Sequence, residues 1–288
     1  MTTPCSQTSL DAKEPLAGTA CAQTVHWIGL EYARPWRPKG VLDTELPAPV
    51  AQWLKEQAST PQTRPLLLRQ RGRRGRALIY ANLNAGKVHR FELDRYRDLL
   101  DLPWSALREG TTDLGRTPEQ PIFVCTHSAR DHCCGLHGAG VARALCALAP
   151  SRVWQCSHLG GHRFAATLVA LPHGIHFGRL RAEHAEPLLA ALDGERLFDL
   201  DHVRGTVRLS PQAQAAELHL RRRLGLHGLH EVQITSCTPR GEEHEVIATC
   251  NAGSYRFAVR RIELGPSAPP SCGAEPAAVR SYQVQDLE

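Results

Sequence analysis

Apolar alternation and turn residues along the first third of the chain suggest an α/β organisation built on one sheet. Strand-like runs cover His26 to Tyr32, Pro65 to Leu68, Ala77 to Leu83 and Val88 to Leu93, and a helix-like segment covers Pro49 to Gln57. After the loop Gly110 to Gln120, a second block opens with the strand PIFVCTH (Pro121 to His127). It continues through a helix from Gly138 to Ala149, where Val141, Leu145 and Leu148 recur at helical spacing, to the strand RVWQCSH (Arg152 to His158). ATLVALP (Ala166 to Pro172) then returns as IHFGRL (Ile175 to Leu180) over the turn Pro172, His173 and Gly174, and a helix follows at Glu183 to Leu192.

Strand, helix, strand, hairpin and helix is the order of a thioredoxin-like layer. From about Leu200 the pattern changes. A helix over Pro211 to Leu224 places Ala213, Ala216, Leu220 and Leu224 on one face and is stopped by Gly225; strands follow at Val232 to Cys237 and around a turn at Asn251 to Ser254. These elements predict an α/β fold in three parts: an N-terminal α/β region over 1–115, a thioredoxin-like domain over 116–200, and a C-terminal α+β extension over 201–288. No internal repeat is visible in the sequence.

The 288 residues, 42% hydrophobic and 22% charged, suffice for one large or two modest domains with a sizeable core. No window reaches the roughly 18 to 20 consecutive apolar residues of a membrane span, and the start MTTPCSQTSLDAKEPL lacks a basic segment followed by an apolar one, so the expected compartment is the cytoplasm and no membrane partner is expected. Thiols are kept reduced there, so ten cysteines argue for metal binding or redox chemistry before disulfides. The net charge of +5 is local: five arginines (Arg69, Arg71, Arg73, Arg74, Arg76) crowd RQRGRRGR, and without them the formal balance is zero. This run reads as a solvated hairpin tip between two strands. No aromatic residues interleave it, which counts against a nucleic-acid partner.

The chemistry concentrates in two stretches. VCTHSARDHCC (Val124 to Cys134) holds three cysteines and two histidines, and CSHLGGHRF (Cys156 to Phe164) holds two more histidines around a Gly-Gly pair. The strands deliver Cys125 and His158 to one edge of a parallel pair, where open α/β sheets carry their sites. Gly160 and Gly161 are poor helix formers, so a turn curls His158 and His162 together. Two thiolates and two imidazoles suit zinc, although C-x8-C is wider than the usual knuckle; they equally suit a 2Fe-2S cluster, whose two irons tolerate wider loops. A thiol oxidoreductase using Cys125 with Cys133 or Cys134 is a third reading, weakened by the lack of C-x-x-C.

VCTHSARDHCCGLHG followed by VWQCSHLGGHRFAATLVALPHGIHFGRL resembles the sucrase/ferredoxin-like family of thioredoxin-like ferredoxins, with looser matches at EPLAGTA (Glu14 to Ala20), DLDHVRG (Asp199 to Gly205) and SCGAEP (Ser271 to Pro276). The resemblance implies a 2Fe-2S centre on Cys125, Cys134, His158 and His162, with Cys133 the competing choice for the second thiolate. It implies a non-enzymatic electron carrier that exchanges one electron, coupled to a proton, with a redox partner protein. Glycoside hydrolysis has no support, because the signature stretches offer only Asp131 and a hydrolase needs a carboxylate pair. The competing class is a zinc-stabilised interaction domain. Arg130 and Asp131 read as an ion pair shaping the loop, His127 and His132 as solvent-facing or supporting residues, and Arg163 as a partner either of a carboxylate or of a reduced cluster. Cys156 and Trp154 read as core, and Cys5 and Cys272, with no ligand spacing, as core or surface thiols.

Overall fold

The architecture is that of a computed structural model, which describes residues 3–287. A short helix α1 (Cys5–Asp11) precedes the strand-helix-strand unit β1 (His26–Glu31), α2 (Ala48–Ser59) and β2 (Thr63–Arg69). The antiparallel strands β3 (Ala77–Asn82) and β4 (Lys87–Glu92) follow, and then α3 (Trp104–Glu109). The same order recurs in β5 (Ile122–Cys125), α4 (His132–Leu148), β6 (Val153–Cys156), β7 (Leu168–Ala170), β8 (Ile175–Phe177) and α5 (Ala185–Asp193). Next come β9 (Val203–Thr206) and α6 (Pro211–Leu224), and β10 (Gln233–Arg240), β11 (Glu243–Cys250), β12 (Gly253–Ala268) and β13 (Ala277–Leu287) close the chain.

The first nine strands form one sheet in the order β4-β3-β1-β2-β6-β5-β7-β8-β9. β1 runs parallel to β2 and antiparallel to β3, and β5 runs parallel to β6 and antiparallel to β7. The two halves therefore share a topology, and they join where β2 meets β6 antiparallel through Leu68 opposite Cys156 and Arg69 opposite Gln155. This is a repeat of topology that the residue pattern does not reveal. The expected boundary at 115/116 falls between β4 and β5 of this one sheet, and the expected boundary at 200/201 precedes its last strand, β9.

Period-2 alternation with both faces apolar explains the near-continuous hydrophobic strands. In β1 and β2, Ile28, Leu30 and Leu67 face α2 and α3 together with Val50, Leu54 and Leu107. In β5 and β6, Ile122, Val124 and Val153 face Val141 and Leu145 of α4 and Leu188 of α5. The opposite faces of both halves merge in a single core of Trp27, Leu66, Leu68, Phe123, Cys125, Trp154 and Cys156. There is no room for a side chain at Gly29, which abuts Leu68 and Phe123 across that core. The last four strands form a separate antiparallel sheet against α6, with Ala216, Leu220, Val246, Phe257 and Val259 between them.

The α/β reading holds, and the strand-helix-strand-hairpin-helix order of the second block is observed. α6 has the expected bounds, with Ser210 accepting from the Ala213 amide at its start and Gly225 in the left-handed region at its end. Two local readings differ. The arginine run is no hairpin tip: β2 and β3 lie on opposite sides of β1, so RQRGRRGR is a crossover, pinned by Arg73 on Glu31 (3.0 Å) and on Glu92. The helix expected at Gly138 begins six residues earlier, at His132, because the Asp131 carboxylate accepts the Cys133 amide and caps it.

Candidate metal centre

β5 ends on Cys125, and the chain turns through Thr126 to Arg130 before α4 begins, so Cys134 lies in the first turn of that helix. Its placement beside Cys125 depends on Gly138: a Cβ there would collide with the carbonyl oxygen of Cys125, so only glycine lets α4 sit against the end of β5. Both sulfurs are buried, each residue being 1% exposed. The Cys134 thiol donates to Cys125, and this bond with His158 beside it holds the Cys125 sulfur well below the usual thiol range despite burial; Cys134, as the donor, is pushed up.

β6 delivers the second half of the site. Nδ1 of His158 lies 3.7 Å from the sulfur of Cys134 and 4.0 Å from that of Cys125. The His158 and His162 rings stack with centroids 5.0 Å apart. Between them Gly160 and Gly161 adopt φ of 93° and 72°, and a side chain at Gly161 would strike the buried guanidinium of Arg204. The expected turn, curling the two imidazoles together, is present. The four predicted residues form two overlapping ligand-sized groups that share Cys134: Cys125, Cys134 and His158, and Cys134 and His162 with Asp131.

The protonation of His162 follows from its partners. Nε2 lies 2.7 Å from the carbonyl of Pro270, which can only accept, so the proton is on Nε2 and Nδ1 keeps a bare lone pair. That Nδ1 is buried and has no hydrogen-bond partner. Burial lowers the pKa of His162 against the pull of Asp131, so the ring is neutral near pH 7. A buried, unprotonated, unpartnered imidazole nitrogen on a ring grouped with the Cys134 thiol and stacked on a second imidazole fits a soft or borderline metal.

Cys133 does not share this site. Successive helical residues point about 100° apart, so when Cys134 faces Cys125, Cys133 faces Cys5 and Cys272, with sulfur distances of 3.6 and 3.3 Å. Cys5 and Cys272 are therefore neither isolated core nor plain surface thiols. The doubled cysteine was the one sequence signal of this second grouping.

His127 is buried and committed at both nitrogens: Nε2 donates to the Arg37 carbonyl (3.0 Å) and Nδ1 accepts the His158 amide (3.2 Å). It braces the backbone of His158. His132 is exposed. No Arg130–Asp131 ion pair occurs among the described residues; Asp131 instead caps α4 and accepts the Cys272 amide at 2.9 Å. Burial opposes ionisation of Asp131, and the amides with His162 outweigh it, leaving its pKa below the usual value. Arg163 pairs with a carboxylate, its Nε lying 2.8 and 2.9 Å from the buried Glu14. Cys156 and Trp154 are core, both 0% exposed.

The outlying segments converge on the same loop. Glu14 and Thr19 of EPLAGTA hold Arg163 and Arg204, and Arg204 of DLDHVRG donates to the Gly160 carbonyl at 2.9 Å. Cys272 of SCGAEP donates its amide to Asp131. Arg64 of β2 donates to the His158 carbonyl at 3.0 Å. These cross-chain contacts could not be read from linear spacing.

A sulfur–imidazole centre at the edge of an α/β sheet, framed by arginines, defines a candidate metalloprotein. The sucrase/ferredoxin-like family model matches residues 16–205, so the chain belongs to that family. No curated protein and no solved structure matches it. No helix among the described residues is long and apolar enough to cross a membrane.

Proposed function

We propose that this is a cytoplasmic electron-transfer protein whose 2Fe-2S cluster is held by Cys125 and Cys134 on one iron and His158 and His162 on the other. The observation that supports it most is the buried Nδ1 of His162, bare and without a hydrogen-bond partner, on a ring that stacks on His158 and groups with Cys134. Such a cluster supplies one-electron chemistry at a potential set by ligand type, hydrogen bonds and burial. The protein's own groups favour the reduced, more negative state. Arg64 and Arg204 hold the His158–Gly160 loop, and Cys134 lies in the first turn of α4, where the helix dipole favours negative charge. With Nδ1 of His162 holding the metal, the proton on Nε2 would become more acidic in the oxidised state, so His162 would release or regain that proton as the charge of the centre changes.

The two cysteines are buried while the two imidazoles are only partly so, which makes the imidazole side the exit for an electron. Beside it a cleft of about 330 Å³ is lined by Lys39, Arg64, Arg130 and His158, a cationic surface suited to an acidic redox partner protein. Thiol exchange is disfavoured because the Cys125 sulfur is beyond the reach of a protein disulfide.

Protein purified without oxygen is expected to be reddish brown, with about two irons and two acid-labile sulfides per chain. Its potential should fall with pH, by up to about 59 mV per unit where one proton accompanies one electron. Cys134→Ser should lose iron and sulfide, and Cys133→Ser should keep them. Absence of sulfide from anaerobically purified protein refutes the cluster; loss of iron in Cys133→Ser but not in Cys134→Ser refutes the ligand assignment.

A further inference from the structure

The sulfurs of Cys5, Cys133 and Cys272 form a nearly equilateral triangle with edges of 3.6, 3.3 and 3.5 Å. Oδ1 of Asp131 lies 3.9 Å from the Cys5 sulfur, and the four residues form a ligand-sized group of their own. The three cysteines come from the first helix of the chain, the start of α4 and the segment between β12 and β13, so no local turn brings them together. We propose that these three thiolates and the Asp131 carboxylate bind a zinc ion, separate from the Cys125/His158 centre.

Geometry supports the ion. With Zn–S near 2.3 Å, a tetrahedral site has S···S edges of about 3.8 Å, so an outward shift of a few tenths of an ångström per edge suffices. The centre of the present triangle is about 2.0 Å from each sulfur, which puts an ion at ~2.3 Å about 1 Å off the plane, leaving the fourth corner for a carboxylate oxygen. A disulfide is the competing fate of such a group. Its S–S length of about 2.05 Å would require one edge to close by more than an ångström, and a triangle of thiols always leaves one buried sulfur over.

Electrostatics points the same way. Cys5 and Cys133 are 0% exposed. Burial, the neighbouring thiols and the Asp131 charge all push the Cys5 thiol up, and burial raises that of Cys272. A carboxylate among buried thiols lacks a counter-charge from any Lys or Arg at salt-bridge distance among the described residues. A divalent cation provides one, displacing the three thiol protons to solvent as it binds. Three thiolates favour a soft or borderline ion, and the single hard carboxylate suits zinc.

The site would fasten α1 and the segment between β12 and β13 to the cap of α4. It also fixes the segment whose Pro270 carbonyl accepts the His162 Nε2–H, two residues before Cys272. The zinc ion would thereby orient an imidazole of the neighbouring centre without touching it.

Elemental analysis of the full chain, purified without chelator, decides the matter. The expected result is about one zinc per chain in wild type, more than fivefold less in Cys5→Ser and Cys272→Ser with iron and sulfide retained, and full zinc in His158→Ala whatever its iron content. Loss of zinc in His158→Ala means that zinc occupied the other centre and overturns the inference. So does wild-type protein that neither contains zinc nor takes up added Zn²⁺, or mass spectrometry of alkylated wild type showing Cys133 in a disulfide. If the serine variants do not fold, Co²⁺ loaded into His158→Ala reports directly: thiolate-to-cobalt charge-transfer absorption is expected, and its absence refutes the site. Iron and sulfide counts test the cluster separately, so either reading can fail alone.

Discussion

Gly138→Ala sets two opposing effects against each other at one atom. Alanine is about 1 kcal/mol better than glycine inside a helix, and α4 runs from His132 to Leu148, so propensity alone predicts a gain. Against this, the new Cβ would meet the backbone carbonyl of Cys125 at a separation that real side chains do not reach. A carbonyl at the end of a buried strand cannot rotate aside as a flexible side chain could, so α4 must shift. Overpacking of this kind costs typically 1–3 kcal/mol, with the upper end apt for a backbone neighbour, leaving a net loss of about 1–2 kcal/mol. The shift also moves Cys134 away from Cys125, so iron content should fall with stability. Gly140 is the control, since it lies in the same helix with no atom within 4 Å of its added Cβ; Gly140→Ala should gain up to about 1 kcal/mol. Urea unfolding of both variants, with iron determined on the same samples, measures the contest. If Gly138→Ala matches Gly140→Ala in stability and keeps its iron, the close approach of α4 to Cys125 is wrong.

Two further perturbations test the surroundings. His127→Phe leaves the His158 amide and the Arg37 carbonyl unpaired, at about 1–3 kcal/mol each, yet should keep the visible spectrum, because both His127 nitrogens are already committed; bleaching equal to that of His158→Ala would make His127 a ligand. His26, half-buried beside the Tyr80 hydroxyl and repelled by Arg108, has its pKa lowered from 6.5 to about 4, chiefly by desolvation. Its folded value lies below its unfolded one, so its contribution is fully present above pH 6.5 and is lost as pH falls toward 4. The full shift corresponds to about 3 kcal/mol, reduced to about 1–2 by the ring's partial exposure. His26→Gln should flatten the stability–pH curve in that window, and an NMR titration of wild-type His26 near 6.5 would contradict the burial argument.

What was legible in the sequence was whatever depends on neighbours along the chain. The apolar runs of β1 to β6, the cap and stop of α6, and the turn of Gly160 and Gly161 are local. Sheet order was not local, which is why the arginine run between β2 and β3 read as a hairpin although β1 separates those strands. Glycines at 135, 138 and 140 depress helix propensity and hid the first turns of α4, whereas tertiary contact is what requires the one at 138. The cysteine triangle was hidden for the same reason: Cys5, Cys133 and Cys272 are separated by 128 and 139 positions and meet only because α1 and the segment between β12 and β13 fold onto the cap of α4.

The repeated topology also explains why one half of the sheet carries the chemistry. β2 and β6 pair antiparallel, so the strand ends that present Cys125 and His158 lie at one edge, beside the start of β2, while the equivalent end of β1 lies at the other. That other edge is closed. Glu31, at the end of β1, accepts the amides of Gly75 and Ala77 at 3.1 and 2.9 Å and pairs with Arg73, so its carboxylate is used in fastening the arginine crossover. At the edge of β5 and β6 the backbone is fastened by residues outside the pair: His127 on the His158 amide, Arg64 on its carbonyl and Arg204 on Gly160. Because these partners take the backbone groups, the side chains of Cys125, Cys134 and His158 are left with one another and with the His162 ring, of which only Nε2 is committed elsewhere, to Pro270. A layer whose strand-end side chain binds its own loop is a scaffold; a layer whose loops are held from elsewhere has side chains free to hold a metal.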